Sequence, residues 1–103
     1  MGRVTDWLAF ADLVSDHIET YTIAQFGDTP NDQVESWTPA ACILAIRKYT
    51  ERYGKGQRGE LEQLRDLLKI AHYAQLAFDK ECKDKGINVL ITTKGEWKLT
   101  KQD

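Results

Sequence analysis

Apolar residues return along the start of the chain at Trp7, Leu8, Ala11, Val14, Ile18 and Tyr21, a spacing of three or four that gathers them on one side of a helix. With Thr5 as N-cap, a helix over about 5–22 is expected. Asp12, Asp16 and Glu19 follow at helical spacing on its other side and give it an acidic stripe. The stretch from Phe26 to Asp32 then gathers Gly27, Pro30 and Asn31, a loop signature.

Thr38-Pro39 is the sharpest local signal. Threonine caps a helix well, and proline at the first helical position gives up an amide hydrogen that would have had no partner. A second helix over 39–53 follows, closed by Gly54 in the left-handed conformation, and Lys55-Gly56-Gln57-Arg58-Gly59 reads as a basic, glycine-rich loop. From Glu60 onward Leu61, Leu64, Leu68, Ala71, Phe78 and Cys82 mark one face, widened by Leu67, Ile70, Ala74 and Ala77. This predicts a long third helix over 60–84, central in the fold, with Gly86 as its stop. Beyond it, the β-branched run from Ile87 to Thr93, then Lys94-Gly95 and the segment from Glu96 to Thr100, read as a β-hairpin over 87–101. The expected fold is mainly α, a three-helix antiparallel bundle with a C-terminal β-hairpin, in one domain spanning 1–103. Its expected core unites Trp7, Val14, Ile18, Cys42, Ile46, Leu61, Leu64, Leu68 and Phe78.

Composition narrows the functional classes. At 42% hydrophobic and 29% charged residues the chain has the make-up of an ordinary folded protein, not of a disordered or low-complexity one. No apolar run approaches the roughly 20 residues of a membrane span, and neither a secretory signal nor a myristoylation pattern stands at the start, so a cytoplasmic protein without membrane association is expected. Cys42 and Cys82 lack the paired spacing of a zinc knuckle and read as free thiols in apolar helical stretches. The formal net charge of -2 conceals a split: residues 1–37 hold seven acids against Arg3, whereas residues 38–103 hold thirteen bases against nine acids. Such a division argues against a uniform surface for duplex DNA and suits two faces that meet within the fold or between copies of it.

Two constellations could carry chemistry. From Arg47 to Arg58 the chain holds five bases against one acid, with Tyr49, Tyr53, Gly54 and Gly56 interleaved. Lys48, Arg52 and Lys55 recur at helical spacing and could converge on one anion, with Arg58 beyond them, while a tyrosine ring offers a base something to stack on. The same bases also suit a solvated helix end, where cations favour the dipole. In the third helix Arg65, Asp66, Lys69, His72 and Tyr73 interrupt an apolar segment. Asp66, Lys69 and Tyr73 share a face, for which an ion pair capped by tyrosine is a sufficient structural reason. Lys69 could also contact phosphate, and His72 could move a proton near neutral pH. Asp12, Asp16 and Glu19 fit a solvated acidic face better than a metal site, so no metal is expected, and the sequence names no cofactor.

Together, Lys48-Tyr49-x-x-Arg52, a Gly/Lys-rich loop and Asp66-Leu67-x-Lys69-x-x-x-Tyr73 resemble the SaV-like family of small phage-encoded proteins, some members of which are described as nucleotide kinases. The resemblance covers about residues 41–78. Ala45 and Ile70 depart from the family's usual asparagine and small residue, and the family's N-terminal His-Tyr is missing. The resemblance implies a phage or prophage origin and a shared polar cluster of Lys48, Tyr49, Arg52, Asp66, Lys69 and Tyr73. Two functional expectations follow. One is a phage accessory protein that binds a nucleotide or another phosphorylated small molecule. The other is a non-enzymatic interaction protein whose apolar helices and hairpin edge build a homo-oligomer or engage and inhibit a host protein.

Overall fold

The computed structural model describes residues 2–27, 36–55 and 59–101, and the side chain of Phe26 is not among them. Three helices are followed by an antiparallel two-stranded hairpin, the architecture expected from the pattern of apolar positions.

Helix α1 runs Arg3–His17 and begins earlier than Thr5. Gly2 takes the extended N-cap conformation with no side-chain cap, and Asp6 in the first turn supplies the negative charge that a helix N-terminus favours. Thr5 therefore lies inside the helix. Past His17 the backbone widens to a π-helix over Ile18–Ile23, then returns to an α turn at Ala24–Phe26 and stops at Gly27, whose φ of 91° suits glycine. The rod thus extends beyond the expected end near residue 22.

Helix α2 spans Pro39–Arg52. Thr38 stands extended before it, and its Oγ1 accepts a hydrogen bond from the Ala41 amide at 3.1 Å, with proline at the first helical position as the sequence indicated. Helix α3 spans Glu60–Lys85, about 39 Å of rise. It ends at Gly86 in the left-handed conformation, whose N–H donates to the Lys83 carbonyl at 3.3 Å. Strands β1 (Ile87–Ile91) and β2 (Trp97–Lys101) pair antiparallel, with Ile87 opposite Lys101, Val89 opposite Leu99 and Ile91 opposite Trp97. The Thr92 amide donates to the Glu96 carbonyl at 2.7 Å and closes the turn.

Helix α3 touches α1, α2 and β1, and its contact with α2 is the most extensive between helices. The core differs from expectation. Among the described residues Cys42 and Ala77 are the buried apolar ones, while Val14, Ile18, Ile46 and Leu68 are half-buried. Trp7 (58% exposed), Leu61 (65%), Leu64 (55%) and Phe78 (45%), all expected inside, face solvent. The reason lies in how α3 is turned. Its Asp66–Tyr73–Ala77 edge meets α2, because the ion pair and ring stack described below lie there, and among the described residues this leaves the leucine edge with no helix over it in a single chain. The Cα radius of gyration, 15.6 Å, exceeds the roughly 13 Å of a compact chain of this length.

Candidate functional site

The site is built on the seam between α2 and α3. Arg52, in the last turn of α2, extends across the seam to Asp66 in the second turn of α3. Its Nε donates to Oδ2 at 3.0 Å and its Nη2 to Oδ1 at 2.7 Å, a bidentate pairing that matches the planar guanidinium to the planar carboxylate. Asp66 is buried, and Lys69, one turn further along α3, brings its Nζ to 3.6 Å from Oδ1. The hydrogen bond to Asp66 holds the Arg52 guanidinium protonated above its ordinary range.

Tyr49 stands one turn before Arg52 and gathers the cations. Arg52 Cζ lies 4.7 Å from its ring centroid, Lys69 Nζ 5.5 Å and Lys48 Nζ 5.7 Å, all within reach of a cation–π attraction. The Tyr49 ring stacks on Tyr73 at 5.9 Å between centroids, and Tyr73 stacks on Trp37 at 6.0 Å with 16° between planes. Burial, and then the neighbouring Tyr49, push the Tyr73 phenol above its ordinary value, so it stays protonated at neutral pH and can donate a hydrogen bond.

The adjoining edge of α3 faces α1. Here His17 is buried, its ring lies 5.2 Å from Tyr21, and its Nδ1 meets no hydrogen-bond partner among the described residues. Arg65 places its Cζ 5.1 Å from the Tyr21 centroid while pairing with Glu62. Burial lowers the His17 pKa, the charges of Lys69 and Arg65 lower it further, and Glu62 opposes them. His72 is half-buried on the same side, and its pKa is lowered by burial and then by His17.

The fold therefore brings together Lys48, Tyr49, Arg52, Asp66, Lys69 and Tyr73. His72 belongs to the α1 side, beside His17. Lys55 lies exposed in the turn after α2, where its amide donates to the Arg52 carbonyl at 3.0 Å, and Arg58 lies outside the described residues. Sequence reasoning did not find Trp37, His17 or Tyr21 as neighbours of the cluster. A signal existed for Trp37, since a large apolar residue just before an N-cap commonly staples the helix entry. For His17 the signal was its place on the apolar side of α1, one turn before Tyr21. Among the described residues no group of three or more His, Cys, Asp and Glu converges as metal ligands, and no helix is long and apolar enough to cross a membrane.

Chemically, the arrangement offers a carboxylate-anchored guanidinium, two lysines and a stacked aromatic series at one place, a surface able to hold an anion and a flat ring. No protein-family model, curated protein or solved structure matches this chain.

Proposed function

We propose that the α2–α3 cluster binds a nucleotide or another phosphorylated small molecule, in a small accessory protein of phage or prophage origin. The observation that supports this reading is the gathering of Lys48, Arg52 and Lys69 around one tyrosine ring with the Asp66 carboxylate between them. A surplus of positive charge beside a stacked tyrosine favours an anion that carries a ring. Asp66 orients Arg52, Lys48 and Lys69 supply charge, and Tyr49 supplies the stacking face. The resemblance to the SaV-like proteins picks out the same positions and points the same way.

A thermal-stability screen with a mixture of nucleotides tests the reading, because a ligand that binds only the folded chain raises its melting temperature. The rise should shrink in Lys48→Ala and diminish as salt is added, since screening acts on exposed charge. No rise at millimolar nucleotide would remove this reading.

A second reading has its own observation. Large apolar side chains, from Val4 and Trp7 on α1 to Trp97 and Leu99 on β2, stand exposed over a core poor in buried apolar residues. Patches of this extent mark protein contact surfaces. On this reading the chain is an interaction protein completed by self-association or by a host protein, and the measurement that checks it is the solution mass of the purified chain.

A further inference from the structure

The exposed edge of α3 is ordered, and its order points to what covers it. From one end of the helix to the other, Glu60, Leu64, Leu67, Ala71, Ala74, Phe78, Glu81 and Lys85 follow in alternating steps of four and three. That is the spacing by which one helix keeps a single seam against another. The middle five are apolar, yet Leu64, Leu67 (38% exposed), Ala74 and Phe78 face solvent and Ala71 is half-buried. Helices α1 and α2 occupy other edges of α3, through Arg65 and Asp66 with Tyr73.

We infer that this seam is the contact between two copies of the chain, packed with their α3 helices antiparallel about a two-fold axis. The seam is complementary to its own reverse. Antiparallel pairing sets Leu67 against the partner's Phe78, Ala71 against the partner's Ala74 and Leu64 against the methylene stem of the partner's Glu81, so the two smallest pairs flank the axis and let the backbones approach. It also sets Glu60 against the partner's Lys85, once at each end, as an isologous contact requires. Lys85 already holds Glu81 of its own helix at 2.7 Å, on the same exposed end, and three ammonium donors allow it to serve both carboxylates. Parallel pairing would set Glu60 on Glu60 and Lys85 on Lys85, a like-charge repulsion at both ends, and would align the helix dipoles unfavourably. The contact uses none of Lys48, Tyr49 or Arg52, so the α2–α3 cluster keeps its own surface.

This inference rests on the interaction reading and is separable from it by experiment. Light scattering on the purified chain should give twice the 11.8 kDa of one copy at micromolar concentration. Ala74→Glu places a helix-favouring charge on an exposed position beside the axis; it should raise the dimer dissociation constant by at least about tenfold with an unchanged helical circular-dichroism signal. In a Cys82→Ser background, Glu60→Cys with Lys85→Cys should form an oxidised cross-linked dimer, whereas Glu60→Cys alone should not. A mass of one chain at hundreds of micromolar overturns both the inference and self-association. An Ala74→Glu chain that stays dimeric, or cross-linking by Glu60→Cys alone, overturns the antiparallel seam while leaving self-association through another face. The cross-link reads the register even if Ala74→Glu perturbs folding.

Discussion

Two edges of α3 reverse the usual relation between residue type and burial. Along one, Asp66 is buried although it carries a charge; along the other, Leu61 and Leu64 are exposed although they carry none. The polar edge is inside because Arg52 and Lys69 supply the partners that a buried carboxylate requires, and the rings of Tyr49 and Tyr73 shield the group they form. The leucine edge is outside because, among the described residues, the two other helices have both been drawn to the polar edge and its neighbour. A specific bidentate pair decides the rotation of a helix where apolar surface, which has no preferred direction, does not.

This contrast can be broken most directly at Asp66. Asp66→Ala removes the acceptor of two charge-assisted hydrogen bonds and should cost about 2 kcal/mol in urea denaturation. Leu64→Ala, measured at a dilution where copies are apart, should cost no more than about 0.5 kcal/mol. Equal costs would erase the difference between the two edges. Next in size, Thr38→Ala leaves the Ala41 amide without its cap and should cost about 1 kcal/mol, a loss confined to the α2 side of the comparison.

Acidification should weaken the α1 side. The His17 pKa is lowered from 6.5 in the folded chain, so between that lowered value and 6.5 the unfolded chain binds more protons. Stability is therefore complete above about pH 6.5, is lost as pH falls toward the folded value, and then levels off. Melting temperatures measured from pH 7.5 downward should show the decline, and His17→Leu should flatten it, with His72 contributing the remainder. A wild-type curve that rises on acidification would contradict the burial of both imidazoles. The smallest effect is expected at Lys48, which is exposed: Lys48→Ala should change stability by less than about 0.5 kcal/mol while Arg52→Ala, which strands the Asp66 carboxylate, should cost clearly more. A matching pair of values would mean that Arg52 is as loosely held as Lys48.

How far these features could be read from the sequence follows the range of the interactions behind them. Thr38-Pro39, Gly54, Gly86 and the Lys94-Gly95 turn act through backbone geometry within a few residues, and the element limits they mark lie within a residue or two of those observed. Residue types and spacing made the two halves of the polar cluster legible, Lys48 with Arg52 on one helix and Asp66 with Lys69 and Tyr73 on the next; that the six positions meet was implied by the resemblance and not by spacing. The bidentate geometry of Arg52 on Asp66 was not, because it depends on the distance between two helices. The leucine stripe was legible as a stripe but not as an exposed one, since periodicity shows that residues share a face and leaves open which side of the bundle that face will meet. Thr5 was expected to cap α1, but a capping residue acts only at a helix end, and this end lies at Gly2, which places Thr5 inside the helix. The wide turns after His17 left no signal in the pattern, which has the same apolar spacing there as in the α-helical part.

Those wide turns carry a consequence for descent. A π-helix bonds each amide to a carbonyl five residues back, so every turn takes one residue more than an α turn. Removing one residue from Ile18–Ile23 would let the stretch relax to ordinary α-helix while Arg3–His17 kept its phase. A relative of this chain could therefore differ in length inside its first helix without any change in loops. A single-residue gap opposite this stretch in such a pair would mark a continuous helix wound two ways, rather than a break between two elements.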